Sequence, residues 1–401
     1  MIRKIFFLLK FLFLTKKIFK NPDPKKILIF DCESPCLRGL LLKDSVGIIS
    51  TRLKKIEKIY ISFDIISYIL KNFFRRSLKI NYLIILIKKF HSKVVVTHID
   101  NSQDFYLVSK VLERDIRFIA IQQATSEIKY LPYKFTKKKY IPEFHCLSKY
   151  DLNYFKKKKI SVKKYFISGS LKSSIVLSNI KKGKINIKKK LYDVCLISEG
   201  DIQIPNKNYK IHRDFNRDFQ SIDDLDHVKK AGFSYGKLAK FVYKVAYNNN
   251  LKVIIAGKYP KNSPGRSKEL SFYNFYLKNL NFNLIPRPKE LSSYYLALQS
   301  KIVVATNSTL LREAVGLNCK VLACNLSGHR DLDFPIKKHL YFNKHSFDKF
   351  EKKFLDLYKM PKKKYFKLLG KDKNYIMEAP NKFEQKLRKR LISLSESKAV
   401  N

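Results

Sequence analysis

The sequence is poor in several features on which common protein classes depend. Its 401 residues include no tryptophan and only 12 glycines, and no G-x-G-x-x-G or G-x-x-x-x-G-K-[ST] pattern occurs. These absences exclude the standard dinucleotide fingerprint and the P-loop. The six cysteines lie mostly beside apolar runs, and no two have the two-residue spacing of a zinc site. The sequence therefore predicts buried reduced thiols and no metal site.

Acidic residues are also scarce. Only 33 Asp and Glu oppose 83 Lys and Arg, which gives a formal net charge of +50. Such a charge favours an anionic partner: nucleic acid, an anionic membrane surface or an anionic substrate. Lysines occur in almost every segment instead of forming one arginine-rich stripe, so we expect no specific nucleic-acid partner. Abundant Lys, Ile, Asn, Phe and Tyr without Trp are also typical of an AT-rich coding sequence, which would produce this charge without selection.

Residues 1–24 form a basic apolar N-terminal segment. Residues 2–20 read IRKIFFLLKFLFLTKKIFK, an apolar block that is too short to span a bilayer and lacks a small-residue cleavage site. We predict a helix here, with two alternatives for its role. It either lies on anionic lipid or packs on the first domain. The expected location is cytoplasmic, with the inner face of the cytoplasmic membrane as a peripheral site.

From residue 25 onward, apolar strand patterns alternate with helical ones. This alternation predicts the α/β class, with mainly parallel sheets covered by helices on both faces. We expect a first Rossmann-like domain over residues 25–176, a charged linker over 177–190, a second Rossmann-like domain over 191–345 and a helical basic segment over 346–401. The predicted strands are 27–31, 47–49, 58–61, 93–98, 117–121 and 164–167, then 193–197, 253–256, 282–285, 302–305 and 321–324; helical character extends from 64 to 90 and from 102 to 113.

The stretch KIVVATNSTLLREAVGLNCKVLACNL, residues 301–326, reads as strand, turn, helix and strand. A helix that begins at Ser308 or Thr309 presents unpaired N–H groups and a partial positive charge, which suit a phosphate. Glu313 lies one helical turn further, where its carboxylate could accept hydrogen bonds from ribose hydroxyls. The alternative is an ordinary α/β unit in which Ser308 is only an N-cap.

Six stretches follow one another in the order of a known group of proteins: KVVVTHIDNSQDFY, RFIAIQQATSE, KYFISGSLKSS, YDVCLISEGD, KVIIAGK and KIVVATNSTLLREAVGLNCKVLAC. They resemble the bacterial surface carbohydrate biosynthesis proteins, which are O-antigen or capsule enzymes of GT-B-like architecture. More distantly, they resemble the teichoic-acid glycerophosphotransferases. The resemblance implies two Rossmann-like domains that face a central cleft, with the nucleotide-activated donor bound mainly by the second.

Carried over position by position, the resemblance implies donor contacts from the strand-end loops of the second domain. Lys258 would neutralise the charge of a diphosphate, although it could also be one solvated lysine among many. The implied donor-binding residues are Ser198, Gly257, Lys258, Ser308, Thr309 and Glu313.

Deprotonation of an acceptor hydroxyl requires a general base. We predict Glu33 for this role, because the first strand-end loop of the N-terminal domain faces the cleft in this architecture. Asp100 is the second candidate, as the base or as its orienting partner. The alternative for each is a loop carboxylate that caps a helix or pairs with lysine. A helix N-terminus and a nearby cation would stabilise the departing diphosphate, so we expect no metal and no cofactor.

These observations predict a metal-independent glycosyltransferase. Its partners would be a nucleotide-sugar donor and a glycan or lipid-linked acceptor, and its product a bacterial cell-surface polysaccharide such as O-antigen or capsule. One alternative is a CDP-polyol phosphotransferase of the same fold. Another is a non-enzymatic basic protein that binds nucleic acid or an anionic membrane surface.

Overall fold

The computed structural model describes residues 13, 15–31, 35–41, 45–51, 56–99, 102–125, 140–157, 160–187, 190–199, 222–278, 280–306 and 308–397, apart from the side chains of 222–229 and 331. The chain divides into two compact units. Unit 1 comprises residues 1–147, 151–171 and 381–401, and unit 2 comprises residues 148–150 and 172–380.

Fourteen strands form three parallel sheets in the described part of the chain. Unit 1 contains a two-stranded sheet, β1-β4, and a six-stranded sheet in the order β3-β2-β5-β6-β7-β8; unit 2 contains a six-stranded sheet in the order β11-β10-β9-β12-β13-β14. The strands are β1 (Lys16–Ile18), β2 (Ile27–Phe30), β3 (Val46–Ile49), β4 (Lys58–Tyr60), β5 (Val94–Thr97), β6 (Arg117–Ile121), β7 (Tyr140–Cys146), β8 (Ser161–Ile167), β9 (Tyr192–Ile197), β10 (Val253–Ala256), β11 (Leu284–Ile285), β12 (Ser300–Ala305), β13 (Lys320–Cys324) and β14 (Tyr341–Phe342).

Helices connect the strands and complete the C-terminal part. They are α1 (Pro35–Arg38), α2 (Phe63–Lys71), α3 (Leu78–Lys89), α4 (Gln103–Leu112), α5 (Lys149–Lys157), α6 (Leu171–Lys181), α7 (Ile222–Asn248), α8 (Pro264–Tyr276), α9 (Ser292–Leu298), α10 (Thr309–Gly316), α11 (Phe347–Lys359), α12 (Lys362–Leu369), α13 (Asp372–Ile376) and α14 (Phe383–Glu396), with a 3₁₀ turn at Arg330–Leu332.

Two central strands of unit 1 are buried along their whole length, as expected for a parallel sheet covered on both faces. All residues of β2 and β5 are buried, and Phe30 of β2 pairs in register with Thr97 of β5. Helix α4 packs on this sheet through Phe105, whose ring lies 5.5 Å from that of Phe30 and 5.6 Å from that of Phe118. The apolar strand runs thus form one core layer with the helices above them.

Both six-stranded sheets reverse their winding direction next to their first strand. In unit 1, β3 lies on one side of β2 and β5 on the other; in unit 2, β10 lies on one side of β9 and β12 on the other. Each reversal is a topological switch point, where the loops after the two strands diverge and leave a crevice at the carboxyl edge. The predicted α/β, GT-B-like fold class, with two Rossmann-like units and a helical C-terminal part, is confirmed.

The predicted N-terminal helix is wrong at its C-terminal end. Lys16–Ile18 form strand β1, which pairs with Lys58–Tyr60 of β4. A strand stabilised by a partner forty residues away leaves no local sequence signal, because its hydrogen bonds are tertiary contacts. Residues 1–12 and 14 of the predicted helix lie outside the described residues.

Two further features differ from the sequence-based expectations. The helical pattern over residues 64–90 is two helices, because the chain turns at residues 72–76 and Ser77 then caps α3 by accepting a hydrogen bond from Ile80 N. Strand β7 was not predicted, since Pro142 lowers the strand propensity of its sequence, YIPEFHC. It nevertheless pairs with both β6 and β8.

The unit boundaries differ from the predicted domain limits. The expected linker over residues 177–190 begins within α6, whose Val176 is buried in the core of unit 2, and it ends at Lys190, which donates a hydrogen bond to Ser300 O over 2.9 Å. Low apolar content here reflects a partly exposed helix. Residues 346–401 are also not one segment, because residues 381–401 belong to unit 1.

Candidate functional site

The carboxyl ends of three adjacent strands of unit 2 meet at its switch point. Ser198 follows β9, Gly257 and Lys258 follow β10, and Thr306 follows β12. Strand β9 pairs with β10 on one side and β12 on the other, with all three parallel. The sheet therefore brings these sequence-predicted loops to one edge, where ligands bind in open α/β sheets.

A buried glutamate organises two of these loops. Glu269 Oε1 accepts a hydrogen bond from Ser198 Oγ at 2.5 Å and from the backbone N–H of Lys258 at 2.8 Å. Its other oxygen accepts from Arg266 Nη1 at 3.0 Å, and Arg266 Nη2 donates to Leu284 O at 2.6 Å. The pairing with arginine compensates the buried carboxylate, which then fixes the position of both strand-end loops.

Gly257 is sterically required at the end of β10. A Cβ atom at this position would lie 2.6 Å from Ile285 O and 3.2 Å from Glu269 Oε2. The side chain of any other residue would collide with the backbone of β11 and crowd the Glu269 carboxylate. The glycine thus lets the loop that carries Lys258 approach its neighbours closely.

Helix α9 connects this loop to α10. Ser293 Oγ lies 3.4 Å from Gly257 O, to which it donates, and the next residue, Tyr294, donates from its hydroxyl to Glu313 Oε2 at 2.6 Å. The Glu313 side chain is only 2% exposed. The structure therefore places Glu313 beneath the surface of the site, held by Tyr294.

The N-terminus of α10 has an unusual cap. Ser308 has the extended backbone of an N-cap residue, with φ −82° and ψ 140°, but its side chain makes no capping hydrogen bond. The Ser308 hydroxyl therefore does not occupy the N–H groups of the first turn of α10. An anion can use these N–H groups as hydrogen-bond donors. Two residues before Ser308, the Thr306 hydroxyl is 1% exposed and has no hydrogen-bond partner among the described residues.

The six predicted donor residues differ in exposure. Ser198, Gly257 and Glu313 are buried, whereas Lys258, Ser308 and Thr309 are half-buried. Of the six residues, solvent reaches only these three to an appreciable extent. Ser198 and Lys258 meet around Glu269, and α9 connects this group to Glu313.

The predicted catalytic residues Glu33 and Asp100 lie outside the described residues, but their flanking residues are described. The Asp31 carboxylate accepts hydrogen bonds from Thr51 N at 2.6 Å and from Ser102 Oγ at 3.0 Å. Asp31 precedes Glu33 by two residues and has a left-handed backbone, with φ 53°; Ser102 follows Asp100 by two residues. One carboxylate therefore links described residues that lie two positions from Glu33 and from Asp100 in sequence.

Several other polar groups have structural roles. Gln122 accepts from Leu147 N and donates to Asp151, so its amide holds the end of β6. Five of the six cysteines are buried thiols, and Cys32 lies outside the described residues. Burial raises the pKa of Cys195 to about 12, which makes it a poor nucleophile. Within the described ranges, no group of three or more His, Cys, Asp and Glu residues is arranged to hold a metal ion.

Sequence reasoning missed the residues that support the site. Arg266 and Glu269 have the i, i+3 spacing of a helical ion pair, which was the available signal. This spacing does not show that a pair is buried, because an exposed helical ion pair has the same spacing. Tyr294 and Ser293 gave no signal, because their roles depend on contacts with other elements.

The sequence model of one protein family, described as "putative O-antigen biosynthesis protein", matches residues 155–341. This match agrees with the resemblance to surface carbohydrate biosynthesis proteins that the six stretches indicate. No curated protein matches the chain in sequence.

Three solved structures are similar over almost the whole chain. MnaA from S. aureus, solved with UDP, has a TM-score of 0.54 and 13% identity, with 92% of this chain and 97% of that chain covered. A "putative UDP-N-acetylglucosamine 2-epimerase" from Listeria monocytogenes has a TM-score of 0.53 and 12% identity, with 93% and 98% covered. The UDP-GlcNAc 2-epimerase from Neisseria meningitidis, bound to UDP-GlcNAc, has a TM-score of 0.50 and 13% identity, with 92% and 99% covered. At these identities the similarity establishes the fold. Among the described helices, none is long and apolar enough to cross a membrane.

Proposed function

We propose that the chain is a glycosyltransferase that uses a nucleotide-activated sugar to build a bacterial cell-surface polysaccharide. The observation that carries the proposal is the convergence of the predicted donor loops at the switch point of unit 2, between β9 and β12. It is supported by the family match over residues 155–341. Two of the similar structures contain UDP or UDP-GlcNAc, so a uridine nucleotide is the first donor to test.

In the proposed donor complex, the diphosphate lies at the N-terminus of α10. The helix N–H groups and its positive end favour the anion, and Lys258 supplies a cation from the end of β10, which is separated from β12 by β9. Glu269 holds the Lys258 backbone, and Tyr294 holds Glu313. Glu313 acts on the nucleotide by orienting the first turn of α10 and the groups above it. The developing charge on the leaving diphosphate is then stabilised by fixed protein dipoles.

We assign activation of the acceptor to unit 1. Glu33 is the proposed general base and Asp100 its alternative or orienting partner. Asp31, through Thr51 and Ser102, is a positioning residue for both loops. The acceptor is a glycan or a lipid-linked glycan, the donor complex requires no metal, and the enzyme acts at the inner face of the cytoplasmic membrane.

The second candidate function is epimerisation of a sugar nucleotide. It is favoured by the names of two similar structures, a "putative UDP-N-acetylglucosamine 2-epimerase" and a UDP-GlcNAc 2-epimerase. The two reactions share the donor site and differ in the step after donor binding. A transferase needs an acceptor and releases the nucleotide, whereas an epimerase converts the sugar nucleotide with no acceptor present.

The donor site is tested by thermal shift with UDP, CDP, GDP, CMP and ADP. A nucleotide that binds only the folded chain at a hundred times its dissociation constant stabilises it by about 2.7 kcal/mol. We expect one base to be preferred and Lys258→Ala to weaken its binding roughly tenfold or more, the value of one charged hydrogen bond. Lys261→Ala is the matched control, since it removes the same charge from the same connection.

Turnover of the preferred sugar nucleotide then separates the reactions. If nucleotide is released only when a glycan acceptor is present, the result supports the transferase. If only a CDP-polyol donor is consumed, the enzyme is the phosphotransferase. Epimer formation without acceptor supports the second candidate. Glu33→Gln and Asp100→Asn should keep nucleotide binding, and the one that loses turnover is the base. The absence of any nucleotide shift, with equal behaviour of the Lys258 and Lys261 variants, contradicts the proposal.

A further inference from the structure

Helix α2 of unit 1 turns large apolar side chains outward. Ile65 is buried in the core, whereas Phe63 is 85% and Leu70 is 68% exposed, and Ile66 is also exposed. Positions 63, 66 and 70 have the i, i+3, i+7 spacing of one helix face. The helix is therefore apolar on two faces, and only one of them is used by the core.

The exposed stripe continues into the turn after α2. Phe73 and Phe74 form an edge-to-face pair with ring centroids 5.3 Å apart, and Phe74 is 97% exposed. Leu78, at the start of α3, is also exposed. Single exposed apolar residues are normal on a protein surface. A run of six, from α2 through the turn to the start of α3, indicates an interaction surface.

Basic side chains accompany this stripe. Residues 63–79 contain Lys71, Arg75, Arg76 and Lys79, all exposed, and one acidic residue, Asp64. The Asp64 carboxylate forms an ion pair with Lys89 and accepts a hydrogen bond from Asn21 at 3.1 Å. The surface thus combines exposed apolar groups with excess positive charge, which is the chemistry of an interfacial helix.

A second segment with the same chemistry lies beside the first turn of α2. Phe19 is 79% exposed and Lys20 is exposed. The next residue, Asn21, accepts a hydrogen bond from the Ser62 hydroxyl at 2.6 Å, and Ser62 is the N-cap of α2. The sequence that precedes β1 is apolar and basic as well.

We infer that this surface, formed by Phe19, Lys20 and residues 63–79, binds an anionic lipid bilayer. Phenylalanine and leucine side chains enter the acyl boundary, while arginine and lysine meet lipid phosphate. Charge complementarity favours lipid over a protein partner. A protein partner of this surface would need an apolar centre surrounded by a continuous acidic rim. An anionic leaflet offers apolar acyl chains and negative phosphates at every position.

This inference rests on the proposed function for its purpose, which is to bring the enzyme to a lipid-linked acceptor. The binding itself depends only on the surface. Helix α2 belongs to unit 1 and the donor loops belong to unit 2, so substitutions in one leave the local contacts of the other intact. Lipid binding and nucleotide binding can therefore fail separately.

Co-sedimentation of the full chain with phosphatidylcholine vesicles, with and without about one third phosphatidylglycerol, tests the inference. We expect binding only to the anionic vesicles. Phe63→Ser with Phe74→Ser should weaken it roughly tenfold or more, and Arg75→Gln with Arg76→Gln should do the same. All four side chains are exposed, so the folded chain should persist, which the melting temperature without any ligand reports.

The matched controls are in unit 2. Tyr247→Ser removes an aromatic side chain that is 82% exposed, and Lys363→Gln with Lys364→Gln removes two exposed charges. Neither should change vesicle binding more than about twofold, since each lies outside the surface. Equal losses in controls and α2 variants would mean that charge anywhere suffices and would overturn the inference. Binding to pure phosphatidylcholine, no vesicle binding, or a change of oligomeric state in the α2 variants would also overturn it.

Discussion

Glu143 illustrates how one buried side chain connects distant parts of unit 1. It lies on β7, where Oε1 is 3.0 Å from His145 Nε2 and accepts from Arg390 Nε at 2.8 Å, while Oε2 accepts from Arg390 Nη2 at 2.7 Å. The His145 ring is stacked between Phe166 and Phe383. This bidentate pair is part of the contact that attaches α14 to the sheet.

The Glu143 carboxylate should make the free energy of unfolding of unit 1 depend on pH. Burial alone raises the pKa of this carboxyl, but the hydrogen bonds from His145 and Arg390 outweigh burial and lower the pKa to about 2. The unfolded chain, with a glutamate pKa of about 4.3, is protonated first as pH falls. The stabilisation is therefore complete above about pH 5 and is lost towards pH 2.

The measurement is urea denaturation at pH 7, 4 and 3. Glu143→Gln should lower the stability of unit 1 by up to about 3 kcal/mol at pH 7, and the difference from the natural chain should shrink as pH falls. Asp23→Asn, which removes a carboxylate that is 78% exposed, is the control and should have little effect at any pH. A constant difference between pH 7 and pH 3 would show that the Glu143 contacts are not charge-dependent.

At the scale of elements, a lysine from strand β13 caps the C-terminus of α11. Lys320, on β13, donates from Nζ to Leu357 O at 2.8 Å, Tyr358 O at 2.7 Å and Met360 O at 2.8 Å. These carbonyls belong to the last turn of α11, which has no intrahelical donors for them. The ammonium group also meets the negative end of the helix. One strand side chain thus caps a helix that packs on the same sheet.

Removal of this cap should loosen α11 from unit 2. Lys320→Met keeps the apolar part of the side chain but leaves three carbonyls without a donor, at a cost of about 1–3 kcal/mol. Lys352→Met, on the exposed face of the same helix, should change stability by less than about 0.5 kcal/mol. Urea midpoints and hydrogen exchange of the α11 amides measure both effects. Similar midpoints for the two variants would argue against the cap.

At the scale of the whole molecule, the net charge of +50 opposes the compact state. Charges of one sign repel one another, and salt shortens the range of that repulsion to about 10 Å at 0.1 M. We expect the melting temperature to rise by several degrees between about 0.02 and 0.3 M NaCl, roughly 2–4 °C for each kcal/mol of repulsion removed.

Potassium chloride should produce the same rise, because the effect is screening and not specific ion binding. Sucrose at equal osmolality should lack the steep initial part of the curve, since it screens no charge. A melting temperature that stays flat or falls with NaCl would mean that local ion pairs outweigh the overall repulsion.

The strand ends that form the candidate site in unit 2 could be predicted from sequence. The β-branched runs of β9, β10 and β12 indicated buried strands, and residues directly after such strands lie at one edge of a parallel sheet. Ser198, Lys258 and Ser308 were predicted on this basis together with the resemblance. Glu269 could not be predicted, because a glutamate in a helix is normally solvent-exposed.

The sequence by itself determined the two α/β units, the strand ends that carry the donor loops and the excess of positive charge, since these depend on local periodicity and composition. Tertiary structure alone decided the pairing of β1 with β4, the position of β7 between β6 and β8, the burial of Glu269 and the contact between Glu143 and Arg390, which are 247 residues apart. It also decided which face of α2 the core leaves exposed. The physical reason is that burial and pairing depend on partners distant along the chain, and no local pattern records which partner a side chain meets.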